Sequence, residues 1–206
     1  MRNKSLSLKF TGRLKVIAML SSGGDVSLFI GSGKTRFADL NLDVNSKCNP
    51  DVVASATHLP FRNGVFDLVL FTDVIEHLPK GRELGALKEI ARVLQRYGEI
   101  VFSCPNNVLL FTFLDPAFWV KGHRHYKFDE IRTLFEKAGL KVLTIFSSRG
   151  IWACLNNLWY CLITYPLRKL LSIEPPIPSL SIREDIEYCT KKKRGYTVFA
   201  IARKEQ

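Results

Sequence analysis

Thirty Lys and Arg against 19 Asp and Glu give this 206-residue chain a formal net charge of +11, and 47% of its residues are apolar. One domain of this size buries an ample core, which excludes a disordered or collagen-like chain and removes any need for a metal or disulfide framework. The five cysteines, Cys48, Cys104, Cys154, Cys161 and Cys189, are odd in number and form no CxxC pair, which suits a reducing compartment.

Basic residues open the chain (Arg2, Lys4, Lys9, Arg13, Lys15), but only the apolar run 16–20 follows them. That run is too short for the hydrophobic stretch of a signal peptide, so a cytoplasmic location is expected. Residues 1–36 hold seven basic residues and one acid, Asp25, and residues 191–194 form a second basic run. This balance fits a solvated face, or a surface for an anionic membrane or a nucleic acid.

Leu14, Ile17, Ala18 and Leu20 stand at helical spacing within residues 8–20, and a Ser- and Gly-rich turn follows at 21–25. VSLFI at 26–30 reads as a buried strand that runs into a glycine loop, GSGKT at 31–35. Short β-branched or alternating runs at 39–43, 51–54 and 65–71 predict three more strands. Residues 81–95 carry the stripe Leu84, Leu87, Ile90, Ala91 and Leu94, a helix packed on a sheet, with Tyr97-Gly98 as its stop. A strand is expected at 99–103, a helix at 129–138 with Asp129 as its N-cap, and strands at 140–146 and 196–202. Strands alternating with helices, several of them continuous apolar runs, predict an α/β domain with a mainly parallel sheet.

The glycine loop admits two readings. A phosphate-binding P-loop requires a glycine at position 28, which is Leu28, and a helix after Lys34-Thr35, for which the next strand leaves no room. A Rossmann-like crevice requires a glycine turn after the first strand and an acid at the end of the second, where Asp43 stands to accept hydrogen bonds from ribose hydroxyls.

From residue 26 to 147, and again in the last strand, the chain resembles class I S-adenosylmethionine-dependent methyltransferases of the methyltransferase type 11 family. The resemblance rests on VSLFIGSG, on NLDV at 41–44, on ASATHLPFRNGVFDLVLFTDVIEHLP at 54–79, on LKEIARVLQRYGEIVFSCPN at 87–106 and on HRHYKFDEIRTLFEKAGLKV at 123–142. It implies a Rossmann-like doubly wound, mainly parallel seven-stranded sheet with an antiparallel last strand, plus a helical insertion before that strand. Together with the apolar spacing at 8–20 and in the segment before the last strand, it divides one domain into an N-terminal helical extension (1–25), a cofactor-binding core (26–147), a helical lid or insertion (148–195) and a last strand with its tail (196–206). It also implies S-adenosylmethionine as cofactor, with Gly31, Ser32 and Gly33 near the methionine and ribose and Asp43 on the ribose hydroxyls. Ser55 and Ala56 would flank the adenine, and Thr72 would lie near the methionine moiety. The chain departs from the family pattern at Phe29, where the first motif usually has an acid, at Ser55, where the adenine loop usually has Asp, and in its nearly absent helix after the glycine loop.

Methyl transfer needs an aligned acceptor, exclusion of water and a base where an oxygen or nitrogen must lose a proton. Asp73, His77 and His123 are the candidate catalytic residues, with Glu76 and His125 beside them; for Glu76 and His77 a structural role in the turn is the competing reading. No metal-ligand spacing is present. Residues 150–167 carry no charge and hold Trp152, Trp159, Tyr160 and Tyr165, with Arg168 and Lys169 following. Asn156, Asn157 and Pro166 argue against a membrane span. A helix over 150–171 would be a lid, a homodimer contact or an interfacial segment peripheral to the membrane. The expected activity is methyl transfer to a small-molecule or lipid-like acceptor. A catalytically degenerate binding module and an RNA methyltransferase stand as alternatives.

Overall fold

The computed structural model describes residues 26–109, 122–148 and 195–205, together with residues 112, 118, 150, 152, 155, 158–164, 167 and 170. The expected N-terminal helix and the basic run at 191–194 lie outside the described residues. So do ten of the 22 positions of the 150–171 segment.

Seven strands form one sheet: β1 (Ser27–Ile30), β2 (Leu40–Asp43), β3 (Val52–Val53), β4 (Phe66–Thr72), β5 (Leu94–Pro105), β6 (Leu140–Ser148) and β7 (Thr197–Lys204). Their spatial order is β3-β2-β1-β4-β5-β7-β6. The contacts from β3 through β5 are parallel, and β7 lies antiparallel between β5 and β6. This is the expected doubly wound sheet with an antiparallel last strand. The chain works outward from β1 to β3 and then returns to β4, so a crevice opens where β1 and β4 part at their carboxyl ends.

Alternation along the strands separates two apolar faces. Leu28, Ile30, Val69, Phe71, Ile100 and Phe102 face one side with α1 (Glu83–Val93) and α2 (Phe128–Lys137). Phe29, Leu68, Leu70 and Val101 face the other, where Phe37 and Ala38 pack on them. Phe29 is therefore a core residue, 4% exposed. An acid there would be buried among apolar side chains.

The link from Gly31 to β2 contains no helix, as the missing room for one predicted. Side chains organise it instead. Asn41, itself buried, accepts from the Phe37 and Ala38 amides at 3.3 and 3.4 Å and donates to Ala38 O and Asp51. Asp39 accepts from the backbone and hydroxyl of Ser27. The hydrogen bonds from Asn41 hold the Asp51 carboxyl below its ordinary value.

Two expected boundaries move. Helix α1 ends at Val93 rather than at Tyr97-Gly98, because Leu94 is fully buried and already pairs with Phe66 as strand. Tyr97, at φ +64°, shapes the first part of β5 instead. Asp129 does not cap α2. The helix starts one residue earlier, and Glu130 accepts from the Lys127 amide at 2.8 Å.

At the described positions from Trp152 to Leu170 the backbone is helical, with a π-helical turn at Tyr160–Thr164. Leu162 and Leu170 are 62% and 78% exposed. The burial expected from an all-round apolar sequence does not extend to these side chains in the isolated chain. No helix among the described residues is long and apolar enough to cross a membrane.

Candidate functional site

The crevice is built first by backbone. The amides of Gly31 and Ser32 both donate to Leu42 O, at 2.8 and 3.1 Å, which folds the glycine loop against the end of β2. Gly31 has φ +70°, and a Cβ there would lie 2.3 Å from Val74 Cγ2. Only glycine fits between this turn and the segment after β4. Gly33, also at positive φ, donates from its amide to Asp43 Oδ2 at 2.8 Å, while Asn45 N donates to Asp43 Oδ1 at 2.8 Å. Both carboxylate oxygens are thereby oriented, and each keeps a lone pair for a further donor.

The 54–56 loop reaches the same place, since Ala54 N donates to Asp43 O. Ala56 is buried, and the Ser55 hydroxyl is 2.9 Å from that of Thr57. The next stretch is held from behind by α1. Arg92 donates to Leu59 O, Phe61 O and Asn63 Oδ1, and Glu89 accepts from Leu59 N and from Arg92. Arg92 draws the Glu89 carboxyl below its ordinary value, against the opposing effect of burial. Thr72, last residue of β4, follows the register in which Ile30 pairs with Phe71 and so stands beside Gly31. Its hydroxyl oxygen is buried without a hydrogen-bond partner.

Gly31 and Gly33 follow β1, Asp43 ends β2, Ser55 and Ala56 follow β3 and Thr72 ends β4, so all six stand at the carboxyl ends of neighbouring strands. Ser32 is buried within the same loop. A ligand rich in hydroxyl and amine donors fits the acceptor that the Asp43 carboxylate presents.

The three expected catalytic residues stand where β4 ends and beyond. Asp73 has φ +52°, donates its amide to Ser103 O at 2.9 Å and accepts from the Ser103 hydroxyl at 2.7 Å. A non-glycine residue in the left-handed region at a strand end is often held there for function. His77 follows in a single 3₁₀ turn, Ile75–His77, and its ring meets that of His123 edge-on with centroids 4.3 Å apart. Forty-six positions apart in sequence, the two imidazoles are brought together by the fold. Glu76 is buried. His125 instead places Nδ1 3.1 Å from Asn106 O.

Sequence reasoning missed the residues that hold this arrangement. Arg124 donates to Glu83 of α1 and to the carbonyls of Ile75, at 2.9 Å, and Leu78. Tyr126 bridges to Asn106, and its hydroxyl donates to Ile75 O at 3.3 Å. Burial pushes the Tyr126 phenol well above its usual range, so it remains a donor. Asn106 ties the end of β5 to Gly195 O at 2.7 Å. These partners are distant in sequence, so no local pattern announces them. Beside this turn lies a cleft of ≈ 1060 Å³ bordered by Lys80, Glu83, His123, Asp129, Thr133 and Leu134. It opens at the N-termini of α1 and α2, the sheet edge that also carries the crevice.

Residues 33–102 match the family model described as a methyltransferase domain. An uncharacterised protein of Methanocaldococcus jannaschii is 32% identical over 103 residues. That match covers 47% of this chain and 44% of the relative, so it spans less than half the relative's length. By fold the chain is similar to an S-adenosylmethionine-dependent methyltransferase of Thermotoga maritima, at TM-score 0.62 and 18% identity over 93% of this chain and 87% of that one. It is similarly close to one of Archaeoglobus fulgidus, at TM-score 0.61 and 19% identity over 93% and 91%.

Proposed function

We propose that this chain is a class I S-adenosylmethionine-dependent methyltransferase that binds its cofactor at the ends of β1, β2 and β4 and methylates a small-molecule or lipid-like acceptor held in the cleft beside His123; the match of residues 33–102 to a methyltransferase-domain model supports this reading. The observation that carries this reading is Asp43, whose carboxylate oxygens are each held by one amide, of Gly33 and of Asn45, at the end of β2. Asp43 would accept from the ribose hydroxyls, Gly31 to Gly33 would pass close to the ribose and methionine, and Ser55 and Ala56 would flank the adenine. When bound, the cofactor supplies a methyl group on a sulfonium, whose carbon–sulfur bond breaks as the acceptor's lone pair bonds to the carbon.

The chain's part is to orient the acceptor, exclude water and take up the acceptor's proton. Asp73, His77 and His123 are the proton-accepting candidates, and an imidazole can do this near neutral pH. The cleft mixes acids, bases and apolar walls, and its volume is near the upper end of the roughly 300–1,000 Å³ common for small-ligand sites. Both features favour a small amphiphilic acceptor. The departure at Phe29 has a packing cause, since the side chain fills the core under Phe37 and Ala38.

Thermal melts with ~1 mM S-adenosylmethionine, adenosylhomocysteine and magnesium ATP test the reading. A dissociation constant on the order of 100 μM gives RT ln 11, about 1.4 kcal/mol, or roughly 3–6 °C for a chain of this size. Both adenosyl compounds should produce that shift and ATP should not. No shift with either would sink the assignment. Binding without adenosylhomocysteine formation across amine, thiol, hydroxyl and carboxylate acceptors would favour a non-catalytic binding module.

A further inference from the structure

We infer that Arg124 is a positioning residue that sets His123 against His77, an inference that rests on the methyl-transfer reading above for its catalytic meaning. The two histidines sit on separate loops: His77 in the turn after β4 and His123 in the stretch before α2. Arg124 follows His123 directly, and its guanidinium bonds to the carbonyls of Ile75 and Leu78, the residues that bracket Glu76 and His77. Its other terminal nitrogen pairs with Glu83 at the start of α1. One rigid, planar fork thus fixes the loop of His123, the turn of His77 and the first turn of α1 relative to one another.

The fork matters more than the charge. Three acceptors lie around the guanidinium, and two of them are carbonyls of the turn that carries His77. A lysine ammonium would approach as a point charge on a flexible stem and could not hold both loops in register. Tyr126, whose hydroxyl also donates to Ile75 O and whose ring centroid lies 6.0 Å from the guanidinium carbon, supports the same junction. Of the pair, His123 is half-buried and borders the cleft, while His77 is exposed. Two rings meeting edge-on at this distance keep one mutual orientation only while both loops are fixed.

Nuclear Overhauser spectra of the full chain, with labelled histidine, read this directly. Wild type should show cross-peaks between the ring protons of His77 and His123. Arg124→Gln and Arg124→Lys should lose them while the remaining amide spectrum stays folded, and the melting shift given by adenosylhomocysteine should persist. Cross-peaks that survive in Arg124→Gln would overturn the inference and leave Arg124 a stabilising contact. Their absence from wild type would overturn it as well, whatever the variants do. If Arg124→Gln fails to fold, Arg124→Lys, which keeps a cation opposite Glu83, is judged by the same criterion. A wild type with the cross-peaks but no response to adenosylhomocysteine would refute the methyl-transfer reading while leaving the positioning role of Arg124 intact.

Discussion

Gly31 is where the fold and the crevice depend on the same atom's absence, so Gly31→Ala is the sharpest perturbation. The residue lies at φ +70°, and its added methyl would meet Val74 Cγ2 at 2.3 Å. Left-handed backbone costs an L-residue about 1–2 kcal/mol. Val74 is β-branched, partly buried against the main core and unable to swing clear, so overpacking adds about 1–3 kcal/mol. The sum of roughly 2–5 kcal/mol corresponds to about 4–20 °C of melting temperature for a chain of this length.

Gly33 supplies an internal comparison. It too has positive φ, at +55°, but a Cβ there meets nothing within 4 Å, so Gly33→Ala should show the backbone cost alone. Urea denaturation of Gly31→Ala, Val74→Ala and the double variant separates the two contributions. Removing Val74 Cγ2 should recover the packing part, so the double variant should be about 1–3 kcal/mol more stable than additivity predicts. Strict additivity, or a Gly31→Ala protein within about 0.5 kcal/mol of wild type, would refute the packing argument.

Asp43→Ala should weaken adenosylhomocysteine binding at least about tenfold without unfolding the protein, whereas Lys34→Ala should change it much less, because this ligand carries no phosphate; titration calorimetry ranks them. Thr72→Val should leave the unliganded protein as stable or slightly more so, because its buried hydroxyl has no partner to lose, yet should weaken the same ligand if the hydroxyl serves it. Glu89, whose folded-state carboxyl lies below its ordinary value of 4.5 through the bond to Arg92, contributes stability that is complete above that value and lost as pH falls through the lowered one. The melting-temperature gap between wild type and Glu89→Gln should therefore be widest near neutral pH and close as pH falls below that ordinary value; a gap independent of pH would contradict the pairing.

Local chemistry determined a large part of this protein. The runs at 26–30, 39–43, 65–71 and 140–146 became strands because buried strands are written as consecutive or alternating apolar residues. GSG followed by LNLD announced a glycine turn and an acid at two strand ends, ten residues apart. The short link between them left no room for a helix. What the sequence did not determine is which distant groups meet. Register and strand order set Thr72 beside Gly31 and buried Phe29 beneath Phe37, and Val74 made Gly31 irreplaceable through a contact 43 positions away. Helix α1 stopped at Val93 because Leu94 found a buried place opposite Phe66, overriding the turn signal at Tyr97-Gly98. HRH at 123–125 reads in sequence as a basic loop. Only the fold turns Arg124 to Glu83 and the carbonyls of Ile75 and Leu78 and sets the His123 ring on that of His77, because hydrogen bonds and ring contacts are fixed by separation in space rather than along the chain.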